Sequence, residues 1–116
     1  MADWKELQRL VYQNKLDHGF NVTDVPVEFC LLQGEVSEAY QAWSCRKPDL
    51  GEELADVAIY LLGLAEILQV DLGAEVERKM EINRRRRYGV VDGVFRRLDD
   101  GEACAEDSKS SPTEKT

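Results

Sequence analysis

The sequence of 116 residues has no apolar stretch that approaches the roughly 20 residues needed to cross a bilayer. Its longest candidate runs only from Val57 to Ala65. The opening segment, MADWKELQRL, is polar and lacks the apolar centre of a signal peptide. The three cysteines, Cys30, Cys45 and Cys104, are odd in number and widely spaced, and no CxxC pair occurs. We therefore expect a reduced, cytoplasmic protein that does not bind membranes.

Basic charge is also scarce, because 15 Lys and Arg residues stand against 23 Asp and Glu, a formal net charge of -8. A protein that coats nucleic acid needs a basic face for the phosphates, so we expect no nucleic-acid polymer as a partner. Residues 99–116 contain six acidic and two basic side chains and almost nothing apolar, which predicts a disordered acidic tail. The folded domain is then residues 1–98.

Apolar residues at helical spacing predict four helices in this domain. They run from about residue 3 to 15, from a cap at Thr23 or Asp24 to about Ser44, from about 51 to 69, and from a cap at Asp71 to Tyr88, with Gly89 as the stop. An apolar stripe follows the second helix at Phe29, Leu32, Val36, Tyr40 and Trp43. No run predicts a strand clearly, and residues 89–98 are consistent with a small hairpin, a fifth short helix or an arm.

The third predicted helix is apolar on nearly every side after Asp56, with Glu66 as its one charge. Such a helix must be covered all round, and the chain has too few other helices to cover it. We therefore expect a homo-oligomeric interface. The spacing of Trp4 and Trp43 favours core or interface packing for both over stacking on a base.

Two of the predicted helices each carry a pair of carboxylates three residues apart, Glu35 with Glu38 and Glu53 with Asp56. None of the four has a Lys or Arg three or four residues away. The short connection at residues 45–50 makes the two helices antiparallel neighbours, which brings the pairs to similar heights. Hard oxygen ligands without His or Cys favour Mg²⁺ or Mn²⁺. A solvated acidic face is the alternative interpretation.

A basic set recurs at helical spacing on the predicted fourth helix: Lys79, Asn83 and Arg86 or Arg87. Ammonium, amide and guanidinium groups on one face suit a phosphate-bearing ligand. Alternatively, the arginines complement the C-terminus of the helix or hold the acidic tail. Together with carboxylates and a divalent metal, a basic clamp completes the groups needed for attack on a phosphoryl centre.

The ordered motifs Glu35-x-x-Glu38, Glu53-x-x-Asp56 and Lys79-x-x-x-Asn83-Arg84 resemble those of the MazG-like, all-α nucleoside triphosphate pyrophosphohydrolases. Residues 53–89 are most similar to the dCTP pyrophosphatase and small phage or bacterial MazG-like branch. The resemblance implies an all-α, four-helix MazG-like bundle completed by homo-oligomerisation, as a dimer or a tetramer.

The implied activity is Mg²⁺-dependent hydrolysis of a (d)NTP between its α and β phosphates, which gives the monophosphate and pyrophosphate. The resemblance suggests a non-standard or pyrimidine deoxynucleotide as substrate. It places the metal on Glu35, Glu38, Glu53 and Asp56, with Glu35 or Glu38 also activating the attacking water. Two alternatives stay open: a non-catalytic helical module that binds nucleotide or protein, and hydrolysis of phosphoribosyl-ATP.

The resemblance also implies residues that bind the nucleotide. Lys79 and the arginine run, of which Arg86 and Arg87 are favoured, would bind the phosphates. Tyr60 and Asn83 match positions that contact the nucleotide. The single histidine, His18, is a further candidate, with a loop or capping role as its alternative.

Overall fold

The computed structural model describes residues 3–98, which form four helices and one hairpin. In chain order the elements are α1 (Trp4–Asp17), α2 (Val25–Ser44), α3 (Leu50–Ile67), α4 (Leu72–Arg85), β1 (Tyr88–Val91) and β2 (Val94–Arg97). The predicted all-α fold of four helices is confirmed. The predicted tail at 99–116, with Cys104, lies outside the described residues. Within residues 3–98, no single helix has the length and apolar character to cross a membrane.

Side-chain caps fix the starts of three helices, close to where the sequence predicts them. Asp3 accepts a hydrogen bond from the Glu6 backbone N–H at 2.8 Å. Asp24, rather than Thr23, caps α2 and accepts from the Val27 N–H at 3.3 Å. Asp71 accepts from the Ala74 N–H at 3.1 Å at the start of α4. Each aspartate thereby satisfies a backbone donor that the helix itself leaves unpaired.

The chain divides into two compact units, the first ending at Val76 and the second beginning at Glu77. In the first unit, α3 packs against both α1 and α2. The buried apolar side chains are few and mostly small: Ala39, Ala42, Leu62, Leu64 and Ala65. Residues 62–65 are buried in succession, so this part of α3 is covered on every side within the chain.

The apolar stripe of α2 does not form the core of this chain. Four of its five side chains are exposed, Tyr40 and Trp43 most of all: Phe29, Val36, Tyr40 and Trp43. The buried residues of α2 are instead Glu28, Ala39 and Ala42, which lie on the adjacent face of the helix. For Trp43, which is 62% exposed, the core half of the predicted core or interface packing is therefore wrong, because the small alanines and not the large stripe face inward, and interface packing stays a prediction.

One buried glutamine ties α1 to the start of α4. Gln8 is 2% exposed, and its Nε2 donates to Glu66 Oε1 at 3.0 Å and to the Val70 carbonyl at 2.9 Å. Its Oε1 accepts from the Leu72 N–H at 2.7 Å. Both amide donors and the amide oxygen are thus satisfied, and the turn between α3 and α4 is fixed.

In the second unit, the predicted helix to Tyr88 with a stop at Gly89 is wrong, because α4 ends at Arg85. Residues 88–91 pair in antiparallel register with residues 94–97 instead. The turn residues Asp92 and Gly93 have φ values of 53° and 78°, the left-handed conformations that a two-residue hairpin turn requires. Of the three alternatives for residues 89–98, the small hairpin is the one that forms.

Candidate active site

Three of the four predicted metal ligands lie together in the first unit. One carboxylate oxygen from each of Glu35, Glu38 and Glu53 lies within 4.8 Å of the other two. The first two side chains come from α2 and the third from α3, which the short connection after Ser44 makes neighbours in space. Three hard oxygen donors at this spacing can share one divalent cation. We call them the carboxylate cluster.

Asp56 is not a member of the carboxylate cluster, although its charge acts on the cluster. Burial raises the pKa of Glu35 above its usual value, and the negative charges of Glu38, Asp56 and Glu53 raise it further. A carboxyl pKa moves in this direction when like charges and burial outweigh any nearby cation. The charge of Asp56 therefore acts on Glu35, while a metal site of all four carboxylates stays a prediction.

Two oxygens at the site are buried and lack a hydrogen-bond partner among residues 3–98: Asp49 Oδ1 and Glu53 Oε1. Burial is the first cause that raises the pKa of Glu53, and Asp49 is the second. The charges of Glu38 and Asp56 raise it further, whereas Lys47 opposes them. A buried carboxylate oxygen without a partner is costly, and a bound cation would satisfy it.

Asp49 and Lys47 were not predicted to belong to the site. Lys47 lies in the connection before α3, where the rule of three- and four-residue spacing along a helix does not apply, whereas Asp49 is the N-cap residue of α3, four residues before Glu53, where the rule does apply. They contribute to a cavity of about 300 Å³ beside the cluster. Its lining is mostly polar: Glu38, Gln41, Ala42, Lys47, Asp49 and Glu53. This volume is about ten times the roughly 30 Å³ that one water occupies in the liquid.

Tyr60 follows Asp56 by one turn of α3 and is half-buried. Burial is the first cause that raises the pKa of its hydroxyl. The negative charges of Glu35, Glu28, Asp56 and Glu38 raise it further, in that order. The phenol therefore stays protonated at neutral pH and can donate a hydrogen bond.

A second cavity, of about 280 Å³, opens beside Tyr60 and is called the Tyr60 pocket here. Its lining comes from α1, the following loop and α3: Leu10, Val11, Asn14, Lys15, Phe20, Ile59 and Tyr60. Apolar walls with a few polar groups are typical of pockets for small organic ligands. The sequence did not predict this pocket, because the fold brings α1 to α3 only through tertiary packing.

His18 lines neither of these two cavities. It is the C-cap residue of α1, and its Nδ1 lies 3.0 Å from the carbonyl oxygen of Asn14. Its ring lies 5.3 Å from the ring of Phe20, which does line the Tyr60 pocket. The capping alternative matches this placement, and nucleotide binding by His18 stays a prediction.

The second unit carries the predicted phosphate ligands. Lys79 and Asn83 lie on α4, one turn apart, and both are exposed. Arg86 and Arg87 do not share that helix face, because the helix ends before them and the chain turns into β1. Arg86 donates from its guanidinium to Asn83 Oδ1 at 3.0 Å, so these two predicted ligands form one hydrogen-bonded pair.

Glu81 holds the first half of the arginine run. Arg84 donates to both carboxylate oxygens of Glu81, and Arg85 donates to Oε2 of the same carboxylate at 3.0 Å. Hydrogen bonds from Arg84 and then Arg85 lower the pKa of the Glu81 carboxyl. Among the described residues from 77 onward, the side chains of Lys79 and Arg87 have no such partner.

Known proteins are similar to this chain in sequence and in fold. No protein-family model matches the chain. Human dCTP pyrophosphatase 1 is 55% identical over 47 residues, and the Bos taurus protein of the same name is 48% identical over 65 residues. These matches cover 40% and 55% of the chain but only 28% and 34% of the two relatives. The chain thus aligns with about a third of their length.

Among solved structures, the chain is similar to the cyanophage S-2L MazG-like pyrophosphohydrolase bound to dGDP and three catalytic Mn²⁺ ions per active site. The two share 29% sequence identity with a TM-score of 0.66, over 84% of this chain and 99% of that one. The resemblance to the MazG-like pyrophosphohydrolases is confirmed. The MazG-like motifs lie on α2, α3 and α4 in the predicted order.

The carboxylate cluster and the Tyr60 pocket offer two complementary chemical environments in one unit. The cluster gathers negative charge around buried oxygens that lack partners, which suits a divalent cation. The pocket offers apolar walls with one ammonium and one amide, which suits a flat organic ring with polar edges. Tyr60 belongs to the pocket and lies in the electric field of the cluster.

Proposed function

We propose that the chain is a Mg²⁺- or Mn²⁺-dependent nucleoside triphosphate pyrophosphohydrolase. One water is consumed, the anhydride between the α and β phosphates breaks, and the products are the nucleoside monophosphate and pyrophosphate. The observation that carries this proposal is the carboxylate cluster, together with the buried, partnerless oxygens of Asp49 and Glu53. Relatives named as pyrophosphatases and a MazG-like neighbour with bound Mn²⁺ support it.

The donor set fits a hard divalent cation. Glu35, Glu38 and Glu53 would hold it through carboxylate oxygens, with Asp56 as the fourth predicted ligand. A bound divalent metal would supply positive charge that neutralises phosphate oxygens and makes the phosphorus more electrophilic. Without it, three or four carboxylates so close together would repel an anionic triphosphate.

Glu35 or Glu38 orients the attacking water and accepts its proton. The raised pKa of Glu35 suits this role, because a base with a pKa nearer the working pH binds a proton more readily than an ordinary carboxylate. Glu38 is the more exposed of the two and is open to solvent water. Both stay candidates, and both lie on α2.

The substrate we propose is a non-standard or pyrimidine deoxynucleotide, with its base in the Tyr60 pocket. Deoxynucleotides appear in the names of both kinds of relative, as dCTP for the curated proteins and as dGDP in the cyanophage structure. Tyr60 and Asn83 are the predicted nucleotide contacts. For the phosphates we propose Lys79, Arg86 and Arg87, among which Lys79 and Arg87 lack another side-chain partner in the described part of the second unit.

We also infer that the protein self-associates, as a dimer or a tetramer. The support is the exposed stripe of α2, in which Tyr40 and Trp43 are 64% and 62% exposed. On α3, Leu54 and Leu61 are exposed as well, although this helix has the highest apolar content of the four. An exposed apolar stripe of this kind is typical of a protein interface.

The decisive experiment is a substrate panel. The protein is incubated with canonical and modified (d)NTPs and with phosphoribosyl-ATP, in Mg²⁺ or Mn²⁺, and the products are separated by ion-exchange chromatography. We expect monophosphate and pyrophosphate from at least one deoxynucleoside triphosphate, and none in excess EDTA. A diphosphate product would contradict cleavage between the α and β phosphates. Binding without turnover would favour a non-catalytic module.

A further inference from the structure

A buried ion pair joins α1 to α2 next to the Tyr60 pocket. Lys15 Nζ donates to Glu28 Oε1 at 2.9 Å, and the two side chains are 9% and 1% exposed. Asn21 Nδ2 donates to the other oxygen of the Glu28 carboxylate, also at 2.9 Å. Both oxygens of this desolvated carboxylate therefore have partners, unlike those of the carboxylate cluster.

The loop between α1 and α2 holds Asn21 in place. Asn21 Nδ2 also donates to the Asp24 carbonyl at 3.0 Å, and its Oδ1 accepts from the Asp24 N–H at 3.0 Å. Because Asp24 is the cap of α2, the amide of Asn21 is fixed to the start of the helix that carries Glu28. The carboxylate of Glu28 has one defined orientation as a result.

Lys15 reaches this carboxylate across α3. A Cβ atom at Gly63 would lie 3.3 Å from Lys15 Cδ, so the stem of the lysine passes directly over the backbone of α3. The ammonium lies 5.4 Å from the centroid of the Tyr60 ring, within the range of a cation–π contact. Lys15 is also part of the lining of the Tyr60 pocket.

Stability alone does not account for this arrangement. Apolar residues of similar volume can replace a buried ion pair with little loss of stability and often with a gain. What an apolar pair cannot reproduce is the fixed position of a charge against one face of the Tyr60 ring. The aromatic wall of the pocket is thus set by α1 and α2 as well as by α3, which carries it.

We propose that Lys15, held by Glu28 and Asn21, is a positioning residue that fixes Tyr60 for binding of the nucleotide base. The nature of the ligand rests on the function proposed above. The claim about the position of the Tyr60 ring rests only on the contacts among these four residues. The two claims can therefore fail separately.

The central variant is the double substitution Lys15→Met with Glu28→Met, which replaces the pair by apolar side chains and leaves no buried charge unpaired. We expect folding and thermal stability close to those of the wild type, and a KM for the preferred triphosphate about 10- to 100-fold higher, with kcat changed far less. Lys5→Met, on an exposed face of the same helix, is the matched control and should match the wild type. Lys15→Arg keeps the charge and should recover most of the lost affinity.

A second readout does not depend on catalysis. The four tyrosines are ¹³C-labelled on their rings, and the Tyr60 signal is assigned with Tyr60→Phe. We expect this signal to shift and broaden in the double variant and to stay unchanged in Lys5→Met. If the wild type cleaves no triphosphate, the proposed function fails, and the ring signal still tests the positioning.

Two results would overturn the proposal. One is a folded double variant with the wild-type KM and an unchanged Tyr60 signal. The other is a double variant that does not fold, because the pair would then serve the fold itself and not the position of one ring.

Discussion

The chemistry of the site depends on a few carboxylate oxygens and on how little positive charge surrounds them. The pairs at 35 and 38 and at 53 and 56 could be predicted, because three-residue spacing on a helix fixes a shared face. Asp49 lay within reach of the same rule, because it precedes Glu53 by four residues at the N-cap of α3. The contribution of Lys47 could not be predicted, since Lys47 belongs to a connection whose path depends on how α2 and α3 dock. Lys15 and Glu28 were missed for the same reason, because an ion pair between separate helices leaves no periodic signal in the sequence.

Removing one charge from the carboxylate cluster tests its role directly. Glu38→Gln keeps the size of the side chain but weakens metal binding and water activation. We expect pyrophosphate release to fall by about 100-fold or more, with the helical circular dichroism unchanged because Glu38 is exposed. Glu52→Gln, also exposed but outside the cluster, should retain activity. Full activity of the Glu38 variant would remove the metal-site claim.

Asp56→Asn, with the same expected loss, tests whether Asp56 belongs to the functional set.

The raised pKa values of Glu35 and Glu53 predict a pH-dependent stability of the metal-free protein. Burial is the main cause for both, so the folded state favours their protonated forms. Their contribution to the free energy of unfolding is complete below about pH 4.3, the usual glutamate pKa, and is lost as pH rises through the raised values. Under the proposed function Mg²⁺ binds the ionised forms, so it should raise the melting temperature at neutral pH and progressively less toward pH 4.

Melting curves with and without Mg²⁺, at matched ionic strength, measure this effect across the pH range. The combined variant Glu35→Gln with Glu53→Gln should lose the Mg²⁺ response and the pH trend together. An equal Mg²⁺ shift at pH 4 and pH 7 would show that the cation acts elsewhere.

At the scale of elements, the helices follow local rules and their packing does not. Capping aspartates predict where α2 and α4 begin, and both starts are confirmed. The predicted end of α4 is wrong because residues on both sides of Asp92 and Gly93 pair as a hairpin. The sequence does contain the signal for this hairpin, since β-branched residues flank an Asp-Gly pair. The inward face of α2 could not be predicted from the sequence, since hydrophobicity alone favours burial of the aromatic stripe over burial of Ala39 and Ala42.

Gln8 should be the most sensitive polar residue of α1. Gln8→Leu fills a similar volume but leaves the Leu72 N–H, the Val70 carbonyl and the Glu66 carboxylate without their partner. We expect the free energy of unfolding to fall by about 1–3 kcal/mol, as urea denaturation would measure. Gln13→Leu, at an exposed position of the same helix, should change it by no more than about 0.5 kcal/mol. Equal effects at the two positions would refute the bridging role of Gln8.

At the scale of the whole molecule, the small buried core and the large exposed apolar side chains do not balance within one chain. A prediction for the assembly follows. Tyr40→Glu introduces a charge into the exposed stripe of α2, and we expect the main species to shift toward the monomer in sedimentation experiments. Cys30→Glu adds the same charge at an exposed position of α2 that has no stripe residue three or four positions away, and should leave the assembly intact. A wild-type protein that is monomeric at all concentrations would refute self-association.

The sequence separation of the contacts also ranks the helices of the first unit by the entropic cost of docking them. The contacts between α2 and α3 span one short connection, whereas the hydrogen bonds of Gln8 bridge 58 to 64 residues. Docking of α1 therefore closes the longest loops and carries the greatest entropic cost. The carboxylate cluster is built entirely on α2 and α3, while the Tyr60 pocket needs α1 for most of its wall. Local opening of α1 would thus abolish the pocket and spare the carboxylate cluster, so the metal affinity and the nucleotide affinity proposed for these two sites would be lost at different temperatures.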